Sequence, residues 1–362
     1  MIAGESRWEA GSEFHWMQIR SFTEKSPFSG KAHLYSCARM ALASLLQFGM
    51  NELGWKRLWI PAYNCPESVS TILSTGIEVG VYFDNPVDEV SAPKRIRSGD
   101  VISVVNYFGL KEMTEYKEVF NAGIPVIEDH THDPWSKWAT QSIADYSIAS
   151  LRKTLPIPDG GALWSNIGAP MPPEQMITSF ISPFSSERVA AMLLKSIYLS
   201  GGSSNKEEYL KMFTRAKIKI DHATTHLIEK PESISRVSRT VLNSFPWHQW
   251  RELRHTNYLY FHKKTGLTSD IQALGRENPE IYPFSLVFVF DARDRRDTIK
   301  QRLIARSIYP AVIWPINSKS CPWADERAVY LSERLLSIHC DGRYGQQDMD
   351  KMATIFSECV SS

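Results

Sequence analysis

Apolar side chains recur at helical spacing between residues 35 and 48, where Met40, Leu42, Leu45, Leu46 and Phe48 lead to Gly49. The spacing predicts a helix that stops at that glycine. Short β-rich runs follow at 57–61, 78–83, 101–108 and 124–128, separated by turn clusters or helical stretches such as Glu112 to Asn121 before Gly123. Val101-Ile102-Ser103-Val104-Val105 is almost continuously apolar, as expected of a strand covered on both faces. Two more β-prone runs, Asp145 to Ala149 and Ala162 to Ser165, flank the segment Ser150 to Gly161. Strands alternating with helices imply a mainly parallel sheet with helices on both faces.

From about 170 to 260 the pattern turns helical, with Met192-Leu193-Leu194 and the charged run Lys206-Glu207-Glu208 inside it. A fresh strand, Leu286 to Phe290, then opens a second α/β pattern. It continues with a helix over 294–307, a strand Ala311-Val312-Ile313-Trp314 and a final helix from near Gln347. The expected organisation is a large α/β domain over 1–260, including the helical connection, and a small C-terminal α/β domain over 261–362.

Composition narrows the possibilities. The 362 residues are 43% hydrophobic and 22% charged, ordinary values for a globular chain. With 41 basic and 40 acidic residues the net charge is +1, which argues against a nucleic-acid footprint. Five cysteines, Cys37, Cys65, Cys321, Cys340 and Cys359, form no metal-ligand spacing and fit a reducing compartment. The start Met1 to Arg7 lacks a basic segment followed by an apolar one, and the longest apolar runs, such as Phe284 to Phe290, are too short to cross a bilayer. A cytoplasmic protein without metal or membrane is expected.

Four segments carry candidate chemistry. Tyr35-Ser36-Cys37-Ala38-Arg39 sets small and polar residues before a helix, where free amides and the helix dipole suit phosphate. Trp59 to Pro66, with Tyr63 and Cys65, leaves a strand at the sheet edge where ligands bind in open α/β folds. Pro125 to Asp133 runs from a strand into Asp129, His130, Thr131, His132 and Asp133. Asp129 at the strand end is suited to hold a pyridinium nitrogen, whereas neighbouring residues would point opposite ways if the strand continued, so His130, His132 and Asp133 imply no chelating face. In Ser150-Leu151-Arg152-Lys153, a lysine between buried strands is a candidate Schiff-base nucleophile. Its S-x-x-K spacing also occurs in class A β-lactamases, but no S-D-N or K-T-G element accompanies it.

In their order these segments resemble the DegT/DnrJ/EryC1/StrS sugar aminotransferases, the sugar branch of the fold type I pyridoxal-phosphate enzymes. Val126-Ile127-Glu128-Asp129-His130-Thr131-His132 parallels that family's strand ending in Glu-Asp-Ala-Ala-His/Gln. The interval from Lys153 to Asp159-Gly160-Gly161 matches its spacing from the lysine to Glu-Gly-Gly. Leu303 to Ile308 followed by Ala311 to Trp314 is similar to its small-domain helix and strand.

The resemblance implies an aspartate-aminotransferase-like fold and pyridoxal 5′-phosphate as cofactor. It implies Lys153 as Schiff-base lysine and proton shuttle, Asp129 against the pyridine nitrogen, and His132 at the phenolic oxygen or ring. Ser150 and the turn Ser36, Cys37, Ala38, Arg39 would hold the phosphate, with Tyr63 and Cys65 beside the cofactor. It further implies L-glutamate as donor, a nucleotide-linked keto sugar as acceptor, a pyridoxamine phosphate intermediate and a homodimer serving nucleotide-sugar or polysaccharide biosynthesis. Cys65 stands where many members carry a stacking aromatic ring. The family's Ser-x-His-x-x-Lys is shortened to Ser150-Leu151-Arg152-Lys153, and Ile234-Ser235-Arg236-Val237-Ser238 is the best match to the stretch that reaches a neighbouring subunit's phosphate. The rival readings are a sugar dehydratase, whose lysine is replaced by histidine, a non-catalytic regulator binding a sugar or partner, and, last, a metal hydrolase using His130, His132 and Asp133.

Overall fold

In the computed structural model, which describes residues 6–17, 26, 28, 30–176, 180, 185–226, 228–275 and 281–361, the apolar run after residue 100 lies inside a seven-stranded sheet. In chain order the elements begin with β1 (Ala10–Gly11), β2 (Ala32–Tyr35), α1 (Ala38–Glu52), β3 (Arg57–Pro61), α2 (Pro66–Ser74), β4 (Glu78–Tyr82) and β5 (Asp100–Val105). They continue with α3 (Lys117–Phe120), β6 (Val126–Asp129), α4 (Lys137–Gln141), β7 (Tyr146–Ser150) and β8 (Gly161–Trp164). The helices α5 (Ser186–Leu199), α6 (Lys206–His226), α7 (Arg236–Ser244) and α8 (Trp247–Lys264) follow. The last part holds β9 (Ile271–Leu274), β10 (Ser285–Phe290), α9 (Arg293–Ala305), β11 (Ile308–Tyr309), α10 (Glu326–Arg334), β12 (Leu335–His339) and α11 (Gln346–Ser361).

The large sheet runs in the order β2-β8-β7-β6-β5-β3-β4. Strands β4, β3, β5, β6 and β7 are parallel, and β8 returns antiparallel between β7 and β2. Every residue of β5 is buried, as its two-sided apolar pattern requires. Met40, Ala41, Leu42, Leu45 and Leu46 of α1 join Leu58, Ile60, Val101 and Ile127 of the sheet in one core cluster. Each such leucine contributes about 2 kcal/mol by leaving water.

A second sheet, β12-β10-β9, is antiparallel, and its core unites Leu286, Phe288 and Phe290 with Phe356 and Met352 of α11 and with Phe261 of α8. The pair β1–β11 is parallel, with Ala10 opposite Ile308, so the N-terminal segment is tied to the C-terminal elements. Among the described residues no helix is long and apolar enough to cross a membrane.

Several boundaries depart from the predicted ones for identifiable reasons. Helix α1 runs through Gly49 to Glu52; a Cβ on Gly49 would lie 2.0 Å from the Trp55 ring, so that glycine serves close packing rather than termination. The stretch Ala311 to Trp314 is not a strand, because pairing passes to β11 and leaves one bridge from Ala311 to Ser337. Beyond Val105 the chain turns over Tyr107–Gly109, and 112–121 is divided between a tight turn, Met113–Tyr116, and α3. Residues 1–5 of the N-terminal segment, and 177–179, 181–184 and 227 of the helical connection, lie outside the described residues.

Candidate active site

Five strand ends of the large sheet converge on one edge, because β2, β3, β5, β6 and β7 all point the same way. Ligands bind at this carboxyl edge in open α/β sheets. A cavity of about 480 Å³ opens there and is lined by Ser36, Cys37, Ala38, Arg39, Cys65, Asp129, His132, Ser150 and Lys153. That volume suits a small cofactor with room for substrate. Tyr63 is the candidate that does not reach it. It is fully buried, its hydroxyl donating to the Ile313 carbonyl and accepting from the Trp314 amide, so it acts on the cavity only by bracing Trp314 in the wall.

Lys153 ends a tight turn, Leu151–Lys153, directly after β7. Leu151 is buried, which directs the turn, while Arg152 and Lys153 line the cavity half-buried. The Lys153 amine has no hydrogen bond or ion pair among the described residues. Asp129 is the last residue of β6, and one carboxylate oxygen accepts from the Thr131 amide at 2.8 Å, which fixes its orientation at the strand end.

At the opposite end of the segment, β8 starts at Gly161, where a Cβ would stand 2.1 Å from the Cys37 carbonyl carbon. Only glycine lets the first turn of α1 rest on that strand. Gly160 has φ of +141°, a conformation side chains disfavour, and its amide donates to the Ser36 carbonyl at 2.8 Å. The α1 N-cap, Cys37, makes no side-chain capping bond, so among the described residues the first-turn amides of Ala38 and Arg39 keep their donors free. Ser36 Oγ beside them is buried without a partner. The Arg39 guanidinium bonds instead to Asp221 of α6 at 2.8 Å. Asp159 accepts from the Ser235 hydroxyl at 2.8 Å and from Ser238, so the 234–238 segment caps α7 against the lysine-bearing loop of its own chain, with Arg236 exposed.

His130, His132 and Asp133 diverge, which removes the chelating arrangement. His130 Nε2 bonds to buried Glu128 at 2.8 Å, and Glu128 also accepts from Trp138 and Ser142, each at 2.6 Å. Asp133 pairs with Arg254 at 2.7 Å and Arg251 at 3.3 Å. His132 alone faces the cavity. Its Nδ1 accepts from the Phe108 amide at 3.0 Å, which assigns the hydrogen to Nε2, and that atom is buried without a partner. Burial, reinforced by the Lys153 charge, holds this imidazole neutral, well below the usual histidine range. Phe108, Phe284 and Trp314 pack around its ring at 5.5, 4.9 and 5.9 Å.

Cys65 lies in the cavity at the start of α2, its thiol pushed up by burial against the pull of Lys153. Other lining groups carried no recognisable motif in the sequence: Glu13, Arg188, Lys217, Asp221, Phe284 and Arg343. They come from five separate regions of the chain, and local spacing holds no sign of their meeting.

No protein-family model matches the chain, and no curated protein matches it by sequence. Solved structures do. The chain is similar to PseC of Helicobacter pylori, an aminotransferase of pseudoaminic acid biosynthesis, with a TM-score of 0.63, 12% identity, and coverage of 98% of this chain and 100% of PseC. It is similar to the provisionally named sugar aminotransferase Spr1654 of Streptococcus pneumoniae in its PLP form, with a TM-score of 0.61, 14% identity and coverage of 95% and 93%. DesI, solved with its TDP-sugar product, has a TM-score of 0.58, 13% identity and coverage of 91% and 80%. The chain therefore has the fold that its sequence resemblance led one to expect: a mostly parallel seven-stranded sheet flanked by helices, shared over nearly its whole length with these proteins.

Proposed function

We propose that this chain is a pyridoxal-phosphate-dependent aminotransferase that moves an amino group from an amino acid, L-glutamate foremost, to a nucleotide-linked keto sugar. The observation that carries the reading is the meeting in one cavity of a lysine and helix-start amides unpartnered among the described residues with a strand-end carboxylate. The polar groups left without partners fit the cofactor. Ser36 Oγ and the Ala38 and Arg39 amides suit its phosphate, and His132 Nε2 suits its phenolic oxygen. When bound, the cofactor supplies an aldehyde that captures amines and a ring that withdraws electrons.

The protein's own groups do the rest. The α1 dipole and its amides hold the phosphate, a contribution of about 1 kcal/mol from the dipole. Asp129 would keep the ring nitrogen protonated, and the neutral His132 would donate to the phenolic oxygen. Lys153 Nζ would anchor the cofactor at its aldehyde and serve as the base that takes and returns the proton at the donor's Cα. Phe284 and Trp314 narrow the cavity against water.

The keto-sugar acceptor is supported by fold likeness to sugar-modifying proteins, DesI with its TDP-sugar product among them. A cytoplasmic homodimer with a large domain over 1–260 and a small one over 261–362 belongs to the same reading; Leu193 and Ile197 of α5 and Leu210 and Ile218 of α6 are large apolar groups left exposed for a second copy to cover. The test is incubation of cofactor-loaded protein with L-glutamate and nucleotide-linked 3- or 4-keto sugars. Formation of 2-oxoglutarate together with an amino sugar, followed by mass spectrometry, is expected. A loaded protein that makes neither product with any keto sugar would overturn the aminotransferase assignment.

A further inference from the structure

The cavity holds more positive charge than a phosphate cup needs. Arg152, immediately before Lys153, makes no hydrogen bond or ion pair among the described residues. Arg188 of α5 is 6% exposed, and its Nε is buried without a partner. Guanidinium groups taken this far out of water require an anion. The carboxylate that meets them comes from the N-terminal segment: Glu13 bonds to Arg188 and sits in the field of Arg152. Burial resists the ionisation of Glu13, but Arg188 and then Arg152 outweigh it and hold its carboxyl down to about 2.

The backbone and side chain of Glu13 are held very differently. Its carbonyl accepts from Lys195 at 2.6 Å and from Arg343 at 3.4 Å, and the Gly11 amide two residues earlier donates to the Tyr344 hydroxyl at 2.8 Å. The side chain, by contrast, is 44% exposed and lines the open cavity. It can rotate away from Arg188 with no movement of the chain that carries it.

We infer that Arg152 and Arg188 form the subsite for a carboxylate of the amino-acid donor, and that Glu13 occupies this subsite as an internal surrogate that swings out when the donor arrives. The inference rests on the aminotransferase reading for the identity of the ligand. Its chemistry follows from adjacency: a donor whose amine reaches Lys153 carries its α-carboxylate one bond from the reacting carbon, beside the neighbouring Arg152. Exchanging one carboxylate for another leaves the same negative charge facing the two guanidinium groups before and after the donor binds. Donor binding is then weakened by the contact it must break.

Glutarate tests this directly, since it carries carboxylates but no amine and needs no cofactor to bind. Its affinity is measured by calorimetry on the purified protein, with and without pyridoxal phosphate. Glu13→Gln is expected to tighten glutarate about tenfold by removing the competitor, and Arg152→Gln to weaken it about tenfold. Because Arg188 is buried, Arg188→Lys serves as the variant that keeps its charge, with weakening expected from loss of the two-pronged contact. Unchanged or weaker binding in Glu13→Gln would overturn the inference, as would undiminished binding in Arg152→Gln. If these shifts occur in a protein that never takes up pyridoxal phosphate, the subsite stands and its assignment to an amino donor falls.

Discussion

Just past β4, Asp84 is fully buried, with the hydroxyls of Tyr116 and Tyr82 donating to one carboxylate oxygen at 3.3 and 3.4 Å and the other oxygen unpartnered. Burial pushes this carboxyl up to about 7, against the opposing charge of Lys111. The folded protein therefore keeps a proton that the unfolded chain releases near 3.8. Stability from this group is present below that value and is lost as pH rises toward 7, a few kcal/mol in all. Asp84→Asn is expected to flatten the fall in melting temperature between pH 5 and 8; an unaltered pH profile would refute the assignment. Single residues also mark the limit of what the sequence discloses. Lys153 and Asp129 stood out in the sequence because Asp129 ends a strand and Lys153 closes the short turn that follows one. Glu13 and Arg188 were not, since 175 residues separate them and only the folded chain makes them neighbours.

Elements were legible where one periodicity dominated. Strand β3 begins and ends as predicted, and β5 was recognised from an apolar run that burial on both faces explains. Pairing partners were not visible, so in place of the strand expected at Ala311 to Trp314 the chain pairs earlier, as β11 over Ile308–Tyr309, drawn there by β1. Gly49 misled because a glycine that stops a helix and one that admits a tryptophan ring look alike in a sequence. The junction of α1 with β8 shows the opposite case, a glycine whose neighbours reveal its purpose. Gly161→Ala would force a Cβ to within 2.1 Å of the Cys37 carbonyl carbon and displace the first turn of α1. Overpacking of this kind costs about 1–3 kcal/mol. The variant is expected to lose affinity for pyridoxal phosphate about tenfold or more in a fluorescence titration, and affinity equal to the wild type would show that the α1 turn does not hold the phosphate.

Across the whole molecule the cavity is assembled from the N-terminal segment, the carboxyl edge of the large sheet, helices α5 and α6, and the stretch around Trp314. Only the sheet edge was foreseeable from local pattern; the other walls depend on how distant parts of the chain pack. The fold is shared with PseC over 98% of the chain at 12% identity. The central claim is that Lys153 carries the cofactor, and one measurement bears on it most directly: purified protein is mixed with pyridoxal phosphate, reduced with borohydride, digested and mapped by mass spectrometry. The expected result is a visible absorption band that borohydride bleaches, with the reduced cofactor attached to Lys153 and absent from Lys153→Ala. A protein that stays colourless, or a label found on another lysine and retained in Lys153→Ala, would contradict it.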